Sequence, residues 1–261
     1  KIVAPVHFAG QPCDMQRIWE LSEEYGFYVV EDAAHAVGAT YMGQPVGSGK
    51  YSHAAVFSFH PVKIITTAEG GVITTQSDDL AEKCRKLRSH GMHKSAELAE
   101  QHGPWYYEMY DVGYNYRITD FQCALGSNQL KKLDKFVDNR REIAKMYDES
   151  FSKIDNLRIP ENQNSVDHAY HLYPLQINFE KLPINKPEFF DIMKQVGINL
   201  QVHYIPVHLQ PFYQKNYGFT AGDFTVAEKF YEKEVSLPIY PDLSTEDVSL
   251  VVNNILEIIF V

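Results

Sequence analysis

Residues 54–75 read AAVFSFHPVKIITTAEGGVITT. AAVFSF is an apolar run of strand length, and GVITT at 71–75 is another. Between them, Pro61 removes a backbone donor and fixes a rigid turn. Gly70 and Gly71 allow close backbone approach or positive φ. Lys63 therefore stands just past the end of a buried strand, five residues after Ser58. In an open α/β sheet, ligands sit beyond the carboxyl ends of the strands. A lysine there has two readings: it pairs with an acid at a neighbouring strand end, or it makes a covalent bond.

The flanking sequence supplies the sheet. IVAPVH at 2–7 reads as a strand, and FYVVED at 27–32 as a short buried one ending in Glu31 and Asp32. DMQRIWELSEEYG between them sets Met15, Ile18, Trp19 and Leu21 on one side, an amphipathic helix closed by Gly26. SDDLAEKCRKLRSHG reads as a helix with Ser77 as its N-cap and Gly91 as its stop. Alternating strands and helices predict an α/β domain with a mostly parallel sheet.

Residues 92–117, rich in Tyr, His and Gly, read as a loop. Thr119 and Gln122 fit a capping box opening one long helix, with Phe121, Leu125, Leu133, Phe136, Val137 and Tyr147 near one stripe. Beyond it, HLYPLQINF reads as a strand, KPEFFDIMKQVG as a helix and INLQVHYIP as strand-like. TVAEKFYEKEVS and TEDVSLVVNNILEII read as helices. This predicts a large domain over 1–125 and a smaller α+β domain over 126–261.

The 261 residues carry a net charge of -10, which argues against a nucleic-acid or anionic-membrane partner. No apolar run reaches membrane-spanning length, and KIVAPVHFAG has no signal-peptide layout. Three scattered cysteines, Cys13, Cys84 and Cys123, suit reduced thiols in a cytoplasm better than a disulfide framework. His90 and His93, or His203 and His208, form pairs that resemble metal ligands. No CxxC, HExxH or carboxylate cluster accompanies them, and Pro206 forbids helical spacing for the second pair.

An ion pair is the more frequent fate of a lysine and an acid at strand ends. The combination of Lys63, Asp32 and Ser58 is also what pyridoxal 5'-phosphate (PLP) needs: a lysine to bond its aldehyde, a carboxylate for its ring nitrogen and a hydroxyl for its phosphate. Four stretches carry a resemblance: VVEDAAHAVGATYMGQPVGS, AAVFSFHPVKIITTAEGGVITT, LRSHGM and GYNYRITDFQCALGSNQL. They resemble the DegT/DnrJ/EryC1/StrS family of PLP-dependent nucleotide-sugar aminotransferases. FSFHPVK, with His60 where Tyr is common in the family, and QVHYIPVH at 201–208 resemble the branch serving pseudaminic acid biosynthesis. The resemblance covers essentially the whole chain.

The resemblance implies an aspartate aminotransferase-like fold (fold type I) and transamination of a UDP-linked 4-keto-6-deoxy sugar with L-glutamate as amino donor. It puts Lys63 at the covalent lysine, Asp32 at the ring nitrogen, His35 next to the ring hydroxyl and Ser58 near the phosphate. It has Asn115 of GYNYR reach the site of a neighbouring subunit in a homodimer. Gln201, Val202, His203 and Tyr204 match the small-domain strand on the nucleotide-sugar side. From the residues alone, a cap on the turn before a helix is an alternative for Asn115, and packing at a strand end is one for His203 and Tyr204. His53, His60 and His90 read as loop or supporting residues.

The family's phosphate-gripping helix N-terminus and ring-stacking aromatic lie upstream of KIVAPVHFAG in the resemblance. This chain, a fragment or truncated relative on that reading, is expected to bind PLP poorly, with an open cleft between Asp32, Ser58 and Lys63. Two rivals follow: a sugar dehydratase of the same fold, which has histidine where Lys63 stands, and a non-catalytic relative that keeps the fold and dimer contact.

Overall fold

Pro5 has no N–H to give a sheet, and it limits the first strand. β1 is Ile2–Val3, and the rest of the expected strand is a single bridge from Val6 to Asp32. The computed structural model describes residues 1–163 and 165–260. The chain divides into two compact units, Lys1–Phe8 with Pro12–Leu133, and Ala9–Gln11 with the described residues from Asp134 onward.

In the first unit, helix α1 (Met15–Tyr25) begins where the Asp14 carboxylate accepts the Arg17 N–H, and it ends at Gly26 in the left-handed conformation. β2 (Tyr28–Asp32) lies parallel to β1. A small hairpin, β3 (Thr40–Tyr41) and β4 (Gln44–Pro45), precedes β5 (Ala54–Ser58), which is parallel to β2 with Asp32 opposite Val56. β6 (Gly71–Thr74) returns antiparallel, setting Gly71 opposite Ser58. The order β1-β2-β5-β6 is the mostly parallel sheet that the alternation of strand and helix predicts.

Helix α2 (Asp78–Leu87) carries the expected cap, Ser77, which accepts the Leu80 N–H. It stops at Leu87 rather than at Gly91, although the Gly91 N–H still reaches the Lys86 carbonyl. The expected loop of 92–117 holds short elements: β7 (Met92–His93), α3 (Ala96–His102, capped by Ser95) and β8 (Glu108–Met109). None is long enough to show a period. Both halves of the Thr119–Gln122 capping box form. The long helix it opens is two, α4 (Asp120–Leu130) and α5 (Leu133–Phe151), because the stripe is not continuous. Phe121 is 82% exposed, while Val137 and Tyr147 are buried.

In the second unit, β9 (Leu157–Arg158), β10 (Val166–Asp167) and β11 (Tyr173–Ile177) precede α6 (Lys186–Gln195), whose Asn185–Glu188 capping box is complete. Two helices follow, α7 (Pro211–Tyr217), begun by a proline at its first position, and α8 (Thr225–Lys233). Then come β12 (Glu234–Leu237) and α9 (Thr245–Ile259). β11 is the middle strand, antiparallel to both β12 and β9. Leu175 of β11 packs with Tyr147, Phe151, Phe189, Met193 and Ile255 in one core.

Two expectations change here. Residues 234–236 leave the helix and form β12, where every residue is buried; partnership with β11 overrides the helical pattern. Of the strand-like stretch 198–206, only Gln201 pairs, with Ser236. Among the described residues, no helix is long and apolar enough to cross a membrane.

Candidate active site

The pleat of β2 separates its two terminal acids. Glu31 points to the interior, where its Oε2 lies 2.8 Å from His7 Nε2 and its Oε1 accepts the Ser52 hydroxyl. Asp32 is half-buried on the other face, and its Oδ1 accepts the Ala34 N–H at 3.1 Å. That bond fixes the carboxylate at the strand end. His35 follows on the next turn, buried, with its ring centroid 6.3 Å from that of Phe8.

β5 ends at Ser58, whose Oγ accepts the His60 N–H at 3.4 Å. The loop that follows is closed on itself. The Phe59 N–H donates to Gly70 O at 2.8 Å, and Phe59 O receives both the Thr67 N–H at 2.9 Å and the Thr66 hydroxyl at 3.0 Å. A tight turn places the Lys63 N–H 3.0 Å from His60 O. Ile64 and Ile65, almost fully buried, anchor the chain immediately after Lys63. A Cβ on Gly70 would meet Thr67 Oγ1 at 2.3 Å, and one on Gly71 would meet the Phe57 carbonyl at 2.6 Å. Both glycines are demanded by close approach.

Lys63 is half-buried. Desolvation pushes its ammonium pKa down from the usual lysine value, and the Asp32 charge partly offsets this. No ion pair joins Lys63 to a carboxylate among the described residues. Asp32 therefore acts on it across space and does not lock it. A cavity of about 550 Å³ lined by Gly70 and Gly71 of this loop and by Ile73, Cys84, Arg88 and Ile118 among others includes neither Lys63 nor Asp32.

The other sequence candidates have local partners of their own. Asn115 is exposed and bridged to Ser89. Gln201, Val202, His203 and Tyr204 belong to the second unit. Gln201 pairs with Ser236, and the rings of His203 and Tyr204 meet edge to face at 4.7 Å. Sequence reasoning missed the partners of these residues, Glu234 and Ser236. It also missed that Glu31 is turned inward. Strand alternation carries the second signal, once the phase of the strand is known.

The residues fit PLP. An amine held below its usual pKa, a fixed carboxylate whose charge reaches it and a hydroxyl at the adjacent strand end match the aldehyde, the ring nitrogen and the phosphate.

Residues 1–256 match the DegT/DnrJ/EryC1/StrS aminotransferase family. The chain belongs to that family. It is 41% identical to the spore coat polysaccharide biosynthesis protein SpsC of Bacillus subtilis, over 99% of this chain and 67% of that protein. It is 37% identical to a UDP-4-amino-4,6-dideoxy-N-acetyl-beta-L-altrosamine transaminase of Campylobacter jejuni, over 98% of this chain and 65% of that one. The solved PLP form of Spr1654 from Streptococcus pneumoniae superposes with a TM-score of 0.88 at 29% identity, covering 100% of this chain and 68% of that one. The chain thus spans about two thirds of the length of these relatives. The fold is that of the PLP-dependent DegT/DnrJ/EryC1/StrS aminotransferases.

Proposed function

We propose that this chain carries the catalytic lysine of a PLP-dependent transamination. In that reaction an amino group passes from L-glutamate to the keto carbon of a UDP-linked 4-keto-6-deoxy sugar, giving 2-oxoglutarate and a 4-amino sugar. The observation that carries the reading is Lys63, half-buried beyond β5, with its amine pushed toward the neutral form and Asp32 within electrostatic reach.

PLP, when bound, withdraws electrons from the carbon that bears the amino group. Lys63 would hold the cofactor covalently and, once released, carry a proton at its Nζ; a depressed pKa keeps that amine available near neutral pH. Asp32 would keep the ring nitrogen protonated, and the Ala34 N–H holds its carboxylate in place for this. Ser58 would donate its hydroxyl to the phosphate. His35, buried one turn after Asp32, would stand beside the ring. Gln201, Val202, His203 and Tyr204 would line the nucleotide-sugar side.

We also propose a cytoplasmic homodimer in which the exposed Asn115 serves the neighbouring subunit's site. Sedimentation tests the dimer: a two-fold species is expected, and a monomer at every working concentration counts against it.

The activity test supplies PLP, L-glutamate and the UDP-4-keto-6-deoxy sugar in turn. With PLP in large excess, 2-oxoglutarate followed by the amino sugar is expected. Neither product, with PLP shown to reach Lys63, points to a non-catalytic relative.

A further inference from the structure

The segment bearing His203 rests on a buried polar group in β12. Glu234 is fully buried and Ser236 nearly so. The Gln201 and Ser236 backbones exchange hydrogen bonds at 3.3 and 2.8 Å. Below them, Glu234 Oε2 accepts the His203 backbone N–H at 2.9 Å, and Glu234 Oε1 accepts the Ser236 hydroxyl. Ser236 Oγ in turn lies 2.8 Å from His203 Nδ1. Burial pushes the Glu234 pKa up, and the Ser236 hydroxyl, the His203 N–H and Lys186, whose ammonium donates to Tyr231 O at 2.6 Å, each pull it back down.

Counting protons decides the direction of the bonds among Glu234, Ser236 and His203. The His203 amide can only donate, so Oε2 accepts. With Glu234 ionised, faced by two donors and the Lys186 charge, its carboxylate only accepts, so the single Ser236 proton is committed to Oε1. Ser236 Oγ can then only receive from the ring, and His203 Nδ1 must carry a proton. In the neutral imidazole, Nε2 is left as the acceptor nitrogen.

We propose that Glu234, acting through Ser236, sets the proton of His203 on Nδ1, so that both are positioning residues for His203 on the nucleotide-sugar side. The positional half of this rests on the reading of residues 201–204 given above; the proton assignment does not.

Glu234→Gln reverses the chain without changing its shape. The Gln oxygen must take the place that accepts the His203 N–H. Its NH2 group then donates to Ser236 Oγ, the Ser236 proton turns to Nδ1, and the ring proton moves to Nε2. Ser236→Ala removes the link and frees Nδ1 from the constraint.

The test is a long-range 1H–15N spectrum of the full chain with labelled histidine, the His203 signals assigned by their loss in His203→Gln. The wild type is expected to show a protonated Nδ1 and an unprotonated Nε2; Glu234→Gln is expected to exchange them. A wild-type ring protonated on Nε2, or a Glu234→Gln ring unchanged from wild type, overturns the proposal, and the wild-type spectrum alone decides if the variants do not fold. Kinetics are read in parallel. KM for the nucleotide sugar should rise about tenfold in Glu234→Gln, the loss of one well-aligned hydrogen bond, with the glutamate half-reaction unchanged. Exchanged tautomers with unaltered sugar KM uphold the proton assignment and overturn the placing of 201–204 on the sugar side.

Discussion

Replacing Gly71 with alanine should damage the Lys63 loop through its backbone. A Cβ at this position sits 2.6 Å from the Phe57 carbonyl, where ordinary contact begins at 3.4 Å, so β5 and β6 must part locally by about 0.8 Å. Neither atom belongs to a flexible side chain, and the shift is passed to Ser58 and the loop that closes on Gly70. Overpacking of this kind costs about 1–3 kcal/mol, or roughly 3–10 °C in the melting temperature of a unit this size. Misplacing a reacting group by about 1 Å lowers rates on the order of a hundredfold. Gly71→Ala should therefore slow borohydride-trapped labelling of Lys63 by PLP by roughly 10–100-fold. Gly26→Ala is the control: it strains a left-handed helix end with no atom within 4 Å, so it should lose about 1 kcal/mol of stability and leave labelling unchanged. Equal labelling rates in Gly71→Ala and wild type would refute the argument that these glycines exist to place the lysine.

Asp32→Asn removes the charge that holds the Lys63 pKa up, so the pH midpoint for acylation of Lys63 should move lower; an upward move would show that Asp32 does not act on it. His168 is buried beside Arg141, and burial drives its pKa down to about 3. The unfolded chain then takes up a proton that the fold refuses, so stability should fall by about 1.4 kcal/mol per pH unit as the pH drops from about 6.5 to about 3. His168→Asn should flatten that part of a denaturation–pH profile, and an unchanged slope contradicts the assignment. Arg140→Met leaves the carbonyls of Tyr170, His171 and Ile239 without the guanidinium that reaches them at 3.0, 3.3 and 2.9 Å. It should destabilise the second unit by about 3 kcal/mol or more, read by urea denaturation; a loss below 1 kcal/mol would mean that water replaces it.

What the sequence made legible was local. Pro61 and the two glycines punctuate the Lys63 loop, Ser77 and Thr119 announce their helices, and the strand–helix alternation predicts the sheet. Each signal needs only a few neighbouring residues. Non-local partnership was illegible. EKFYEKEVS keeps a helical pattern through Ser236, and only pairing with β11 pulls its end into a strand. Glu31 and Asp32 are adjacent and identical in charge, and only the phase of the β2 pleat turns one inward to His7 and leaves the other on the face of the candidate site. His203 meets Glu234 across 31 residues, a separation that no motif records.

The central claim is that Lys63 is the lysine that bonds the cofactor. The chain should be incubated with PLP, reduced with borohydride, digested and mapped by mass spectrometry. One label per chain, on the peptide holding Lys63 and absent in Lys63→Ala, is the predicted result. A label spread over surface lysines, or one that persists in Lys63→Ala, would contradict it.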